Sequence, residues 1–198
     1  MQSWDLCGKH RQKIKEHLKT SYCKDLISKY SPDYPVWVLC ELVSFGELCK
    51  LVRHYDTLYP KRLSFPTSLL FPVRDLRNAA AHNNCLIHDV RAAHYSISGR
   101  NNRVNPFLQK EIQQIQGISK RTRHTYLVNK PIHDFLCLLL LYANVVQSEH
   151  LRAARCNALN QLINHRCRKN RSYYTQQATL RSAYVFLRKS FYHFRKMY

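Results

Sequence analysis

A chain of 198 residues, 45% hydrophobic with only four glycines and seven prolines, has enough apolar content for a real core and few helix breakers, which points to long helices in one domain with an appendage. Its formal net charge of +20, from 32 Lys+Arg against 12 Asp+Glu, is more than an ordinary enzyme surface carries, because self-repulsion of that size calls for a polyanion. Nucleic acid is the first expectation, since neutralised phosphates release condensed counterions; anionic membrane is the second, and no stretch reaches the roughly 18 continuous apolar residues of a membrane span.

In chain order, residues 5–30 read as helix with a break near Thr20 and Ser21, and SPDYP, from Ser31 to Pro35, as a turn. The next stretch, VWVLCELVSFGELCKLVRHY, places Val38, Leu42, Phe45, Cys49 and Val52 at helical spacing, so one face is core. Glu41 falls on the apolar stripe of Trp37, Phe45 and Leu48. A carboxylate there either wants a cationic partner or sits at the exposed edge of the stripe. Gly46 costs about 1 kcal/mol in a helix interior, a cost best explained by close approach of another helix.

Residues 59–66 read as a loop, and 67–82 as a helix in which Pro72 sets a local break. Residues 83–105, including SGRNNRVN, are a loop, and 107–116 a polar helix. KRTRH, with Lys120, Arg121 and Arg123, is a short basic cluster. Pro131 suits the first position of the following helix. The run FLCLLLLYANVV, residues 135–146, is interrupted by Asn144 and reads as a buried core helix.

After Glu149 the composition shifts. No Asp or Glu follows, while eleven Lys+Arg do. Arg166, Arg168, Lys169, Arg171, Arg188, Lys189, Arg195 and Lys196 join Lys120, Arg121 and Arg123 as candidate RNA contacts. The interleaved rings of Tyr173, Tyr174, Tyr184, Phe186, Phe191, Tyr192, Phe194 and Tyr198 suit base stacking, although rings at helical spacing are more often core. The chain divides into residues 1–148 and a basic, aromatic-rich helical extension, residues 149–198, packed on the same domain.

The eight cysteines, Cys7, Cys23, Cys40, Cys49, Cys85, Cys137, Cys156 and Cys167, form no C-x-x-C pair. Several stand among apolar residues as buried thiols do. With no signal-peptide layout at the start, they imply a reducing cytoplasm rather than a disulfide framework. The close ligand pairs of a zinc site are missing. No metal and no cofactor is expected.

One stretch carries chemistry. In RDLRNAAAHNNCL, Arg77 and His82 are five positions apart. Three Arg-x4–6-His pairs occur in the chain, about the number chance supplies, so the bare pattern is uninformative. Context separates this one. Asn78 and His82 stand at i and i+4 and share a helix face, with Arg77 about 140° away around an ideal helix. Ala79, Ala80 and Ala81 present almost no bulk, so a phosphate or a second copy of the helix fits against them. Histidine shuttles protons near neutral pH, and arginine holds a phosphate with paired donors. RNA supplies its own 2′-hydroxyl nucleophile. Cleavage needs both a base and an acid, and a symmetric dimer supplies two histidines.

RNAAAH followed by Leu86 resembles the RNxxAHxxxL signature of Abi-like, or abortive-infection, proteins of the HEPN superfamily. Upstream, WVLCELVSFG resembles the family's W-x3-E-x-x-S-x-G helix through Trp37, Glu41, Ser44 and Gly46. The chain departs from the family pattern after His82, where Asn83 and Asn84 stand. The resemblance implies an all-α, HEPN-like helical bundle with additional C-terminal helices, and a role in prokaryotic phage defence. It further implies a metal-independent endoribonuclease site, composite across a homodimer, with Arg77 and His82 catalytic, Asn78 beside the arginine and Glu41 in support. The expected partner is RNA, single-stranded as substrate or structured and small. The alternative is a non-catalytic protein that holds a small structured RNA; retention of both arginine and histidine favours the enzyme.

Overall fold

Helix placement in the computed structural model, which describes residues 22–97, 103–169 and 171–197 without the side chains at 173 and 174, follows local capping as much as hydrophobic period. Residues 1–21, with the break expected near residue 20 and with Cys7, lie outside the described residues. So do most of SGRNNRVN and the side chains of Tyr173, Tyr174 and Tyr198. The backbone divides into two units, residues 1–55 and 56–198.

In the first unit, α1 (Lys24–Tyr30) is followed by the expected turn and by α2 (Val36–Leu42). The single helix expected to continue from here is two. Val43 is extended, with φ −87° and ψ 150°, and α3 (Phe45–Leu58) starts afresh after Ser44. The cause is a capping box read directly in S-F-G-E. Ser44 Oγ accepts from the Glu47 amide at 3.2 Å, and Glu47 Oε2 accepts from the Ser44 amide at 3.3 Å. Two otherwise unpaired donors are satisfied together. Gly46 therefore sits in a first turn, and its expected cost as an interior residue does not arise. Glu41 is exposed, which answers the choice between a cationic partner and the edge of the stripe in favour of the edge. Trp37 meets the Tyr30 ring edge-on at 5.4 Å.

In the second unit, a 3₁₀ turn (Thr67–Leu69) leads into α4 (Leu70–Ala81). Pro72 lies in the first turn, where its missing N–H leaves no intrahelical bond unmade, so the break expected there is absent. Then come α5 (Pro106–Gln113), α6 (Lys120–Leu127), α7 (Lys130–Val145) and α8 (Glu149–Gln161). A π turn (Leu162–Arg166), the short α9 (Cys167–Lys169) and α10 (Arg171–Thr175), and α11 (Ala178–Arg195) complete it. The architecture is all-α: the described residues contain no strand, only an isolated bridge between Ser96 and Arg103.

The apolar run forms the expected core helix. Ile132, Leu136, Cys137, Leu139, Leu140 and Leu141 of α7 are all buried. Pro131 takes the second rather than the first position, because Asn129 is the cap and its Oδ1 accepts from the Ile132 amide at 3.3 Å. The Asn129 amide group donates to the carbonyls of Asp89 and Ala92 at 2.9 and 3.1 Å, which holds the incoming loop on the helix start. Against α7 pack α4 on one side and α11 on another. Phe186, Phe191 and Phe194 of α11 are buried, and Phe186 stacks on Tyr126 of α6 at 5.3 Å. These rings are core, each burial contributing about 1.5–3 kcal/mol. The helix expected to be polar over 107–116 is amphipathic instead: Leu108 and Ile112 of α5 are fully buried, and Asn105 caps it through the Phe107 and Leu108 amides.

Candidate functional site

α4 buries its start and bares its end. Leu70 and Val73 are buried, whereas Arg77, Asn78, Ala80, Ala81 and His82 are exposed and Ala79 is partly so. The Arg77 guanidinium donates from Nη1 to Asn78 Oδ1 at 3.2 Å, so the two polar neighbours are already joined. His82 is not the last helical residue, as its spacing suggests, but the cap, with φ −92° and ψ 11°. Its amide still donates to the Asn78 carbonyl at 3.0 Å.

The two asparagines after His82 have a structural job. Asn83 adopts φ +54°. Its amide donates to Ala80 O at 3.1 Å, and the Asn84 amide reaches Ala79 O at 3.0 Å. This pair of bonds is a Schellman ending, which needs a left-handed residue just past the cap, and asparagine is the usual non-glycine choice. The ending fixes the backbone that carries His82. The result is an open ledge: a forked cation, a carboxamide and an imidazole around three small side chains.

Just upstream, α4 is tied to α7 by a polar network that spacing alone did not reveal. Lys130 Nζ contacts Asp75 Oδ2 at 2.8 Å, Asp134 Oδ2 at 2.9 Å and the Tyr95 hydroxyl at 3.0 Å. Tyr95 donates to Asp134 Oδ1 at 3.2 Å. His133, almost wholly buried, accepts from the Asn105 amide through Nε2 at 3.0 Å. Its Nδ1 therefore carries the proton donated to Asp134 Oδ1 at 2.8 Å. Arg74 closes the edge, donating from Nε and Nη2 to Asp75 Oδ1 at 3.0 and 2.6 Å. Burial pulls the Lys130 ammonium down, but its bonds to Asp75, Asp134 and Tyr95 outweigh this and hold it above the usual lysine range. Burial pushes Tyr95 up to about 12, against the pull of Lys130. For Asp75, burial is outweighed by Lys130 and Arg74, and the carboxyl sits below its usual value. The available signal was the i, i+4 pair Lys130 and Asp134 at the head of the apolar helix.

The basic candidates separate into groups. Lys120 and Arg121 are exposed on the first turn of α6, after the Ser119 cap. Arg123 is partly buried, and its Nη2 donates to Ile115 O at 2.8 Å, so it fastens the α5–α6 connection. Lys189 donates to Gly117 O at 2.6 Å, where Gly117 has φ +70°. Arg195 lines a cleft of about 470 Å³ with Glu149, Arg152, Ala153, Cys156 and Asn157. Lys196 is exposed after α11. Arg166, Arg168, Lys169 and Arg171 line a second cleft, shallow and open, with Asn164 and His165. Arg188 reaches Asn164 Oδ1 at 3.1 Å and lies over the Tyr192 ring at 5.6 Å.

Among the described cysteines, Cys49, Cys137 and Cys156 are buried and Cys40, Cys85 and Cys167 exposed. No helix among the described residues is long and apolar enough to cross a membrane.

Compared with known families, residues 2–88 match the model of a family described as Abi-like protein. Both sequence blocks, Trp37 to Gly46 and Arg77 to Leu86, fall inside the match, and the basic C-terminal stretch falls outside it. Neither the curated proteins nor the solved structures compared with the chain gave a match.

Proposed function

From the premise that this chain is Abi-like over residues 2–88, we propose that it is a metal-independent endoribonuclease of the HEPN type acting in abortive-infection defence, bound to or regulated by a structured RNA. The observation that carries this reading is the bare end of α4, where Arg77, Asn78 and His82 are exposed on a helix whose other end is anchored in the core.

The residues suit the chemistry of RNA transesterification. An unprotonated His82 imidazole takes the proton of the ribose 2′-hydroxyl, and the 2′-oxygen attacks the neighbouring phosphorus. The bond from phosphorus to the 5′-oxygen breaks, and that oxygen leaves with a proton from an imidazolium, supplied by His82 of a second copy. Arg77 faces the charge that grows on the phosphoryl oxygens. The Asn78 carboxamide, which accepts from the guanidinium at 3.2 Å, steers it. The products are a 2′,3′-cyclic phosphate and a 5′-hydroxyl. The small faces of Ala79, Ala80 and Ala81 favour close approach of the second helix in a homodimer.

The test compares the protein with His82→Ala, both stripped of nucleic acid at high salt, on mixed single-stranded and hairpin RNA in EDTA. Cleavage to cyclic phosphate by the parent, with loss of about 10²–10⁴-fold in the variant, is the expected result. Equal cleavage by both, or tight RNA binding by both with no cleavage, overturns the nuclease reading.

A further inference from the structure

The cleft around the π turn lies outside the Abi-like match and is not part of the ledge on α4. Its wall carries Arg166, Arg168, Lys169 and Arg171 together with His165. None of these four cations forms a salt bridge among the described residues, and no Asp or Glu follows Glu149 in the sequence. A basic run on a straight helix is usually a solvated face. Here the run spans a π turn and two short helices, and its cations line one shallow, open depression.

The π turn opens this stretch. Its hydrogen bonds run from i to i+5 rather than i+4, a distortion frequent at functional sites. Three contacts from α11 stabilise it. The Tyr184 hydroxyl donates to Ile163 O at 2.9 Å. Asn164 is gripped on every side, donating to Asn160 Oδ1 and to the Tyr192 hydroxyl, each at 2.6 Å, and accepting from Arg188. Asn164 at the edge of the depression is thus held in place, and among the described residues no carboxylate pairs with its four cations. Four positive groups around one opening repel each other unless an anion sits among them.

We propose that this cleft is an RNA-backbone anchor, in which Arg166, Arg168, Lys169 and Arg171 hold successive phosphates of the strand that the protein binds. Guanidinium forks match phosphate oxygens in pairs, and three of the four cations are arginines. The proposal rests on the RNA part of the reading above and not on catalysis.

Binding of a 5′-labelled, unstructured 20-nucleotide RNA is measured by fluorescence anisotropy over a range of salt, in the His82→Ala background so that cleavage plays no part. The cleft variant is Arg168→Gln with Lys169→Gln; the control, with the same charge loss, is Lys24→Gln with Lys50→Gln, all four positions being exposed. The cleft variant is expected to bind about tenfold more weakly, with a log–log salt slope shallower by about 1.4, and the control to change less than about twofold. Equal losses in both would reduce the effect to net charge and overturn the anchor. So would an unchanged cleft variant, a parent that binds no RNA, or a cleft variant that loses only binding to phosphatidylserine vesicles. If the first cleft pair does not melt cooperatively, Arg166→Gln with Arg171→Gln gives the same comparison. Cleavage by the chain with His82 restored is scored separately, so failure of the anchor and failure of the nuclease are told apart.

Discussion

At the scale of single residues, the end of α4 turns on Asn83. Its φ of +54° is a conformation that costs most L-residues about 1–2 kcal/mol, and asparagine and glycine accept it most easily. Asn83→Ala is therefore expected to destabilise the protein by about 1 kcal/mol, and Asn83→Gly to be neutral or slightly stabilising. Thermal melts at one pH check the sign. Since the Schellman bonds fix the backbone carrying His82, cleavage by Asn83→Ala is expected to fall by more than the melt accounts for, and cleavage by Asn83→Gly to stay near the parent's. Equal activity in all three would mean that this ending serves stability alone.

Among elements, the contact between α4 and α7 couples the ledge to the core through charge. Tyr95 is raised to about 12 from an ordinary 10, and Lys130 is raised as well. For each, the folded state favours the protonated form. The stability they contribute is complete below the pKa of the unfolded chain and lost as pH rises through the folded value. Asp75, lowered by Lys130 and Arg74, contributes above the unfolded carboxyl value, and that contribution is lost as pH falls through the folded one. Melting temperature should hold through neutral pH and drop above about 10, where unfolded tyrosine begins to ionise. Tyr95→Phe should flatten that alkaline drop while lowering stability at neutral pH by about 1 kcal/mol. An unchanged alkaline slope would assign the loss to other groups.

Elements were legible where one local rule decided them and illegible where several residues met in space. The apolar period exposed α7, and the alanine-flanked RNAAAH exposed the ledge. S-F-G-E was readable as a cap, yet the apolar spacing on both sides argued for continuity and masked it. Leu108 and Ile112 are too few to outweigh the polar residues around them, so α5 read as polar. The network joining Asp75, Tyr95 and Lys130 needs three segments folded together, and the basic cleft is lined from a π turn and two short helices. Neither leaves a period in the sequence. Arg123 and Lys189 show the converse: their types suggest phosphate contacts, while their positions bind them to backbone carbonyls.

For the whole molecule, the proposed chemistry asks for two imidazoles at one phosphate, one taking a proton and the other giving one, and each chain places a single histidine on its ledge. A two-fold dimer meets this need with one repeated surface, and mixing subunits tests it quantitatively. When the parent is co-refolded with an equal amount of His82→Ala, random pairing gives about one quarter parent homodimers, one half mixed dimers and one quarter variant homodimers. If both histidines are needed in each site, activity per total protein falls to about one quarter of the pure parent's, and over all ratios it follows the square of the parent fraction. If each chain cuts alone, activity follows the fraction itself and is about one half at equal mixing. A linear plot would remove the composite site while leaving His82 catalytic, since the pure variant would still be inactive. A quadratic plot, with the mixed species shown by size and by a tag on one subunit, would place the acid and the base on different copies of the same helix.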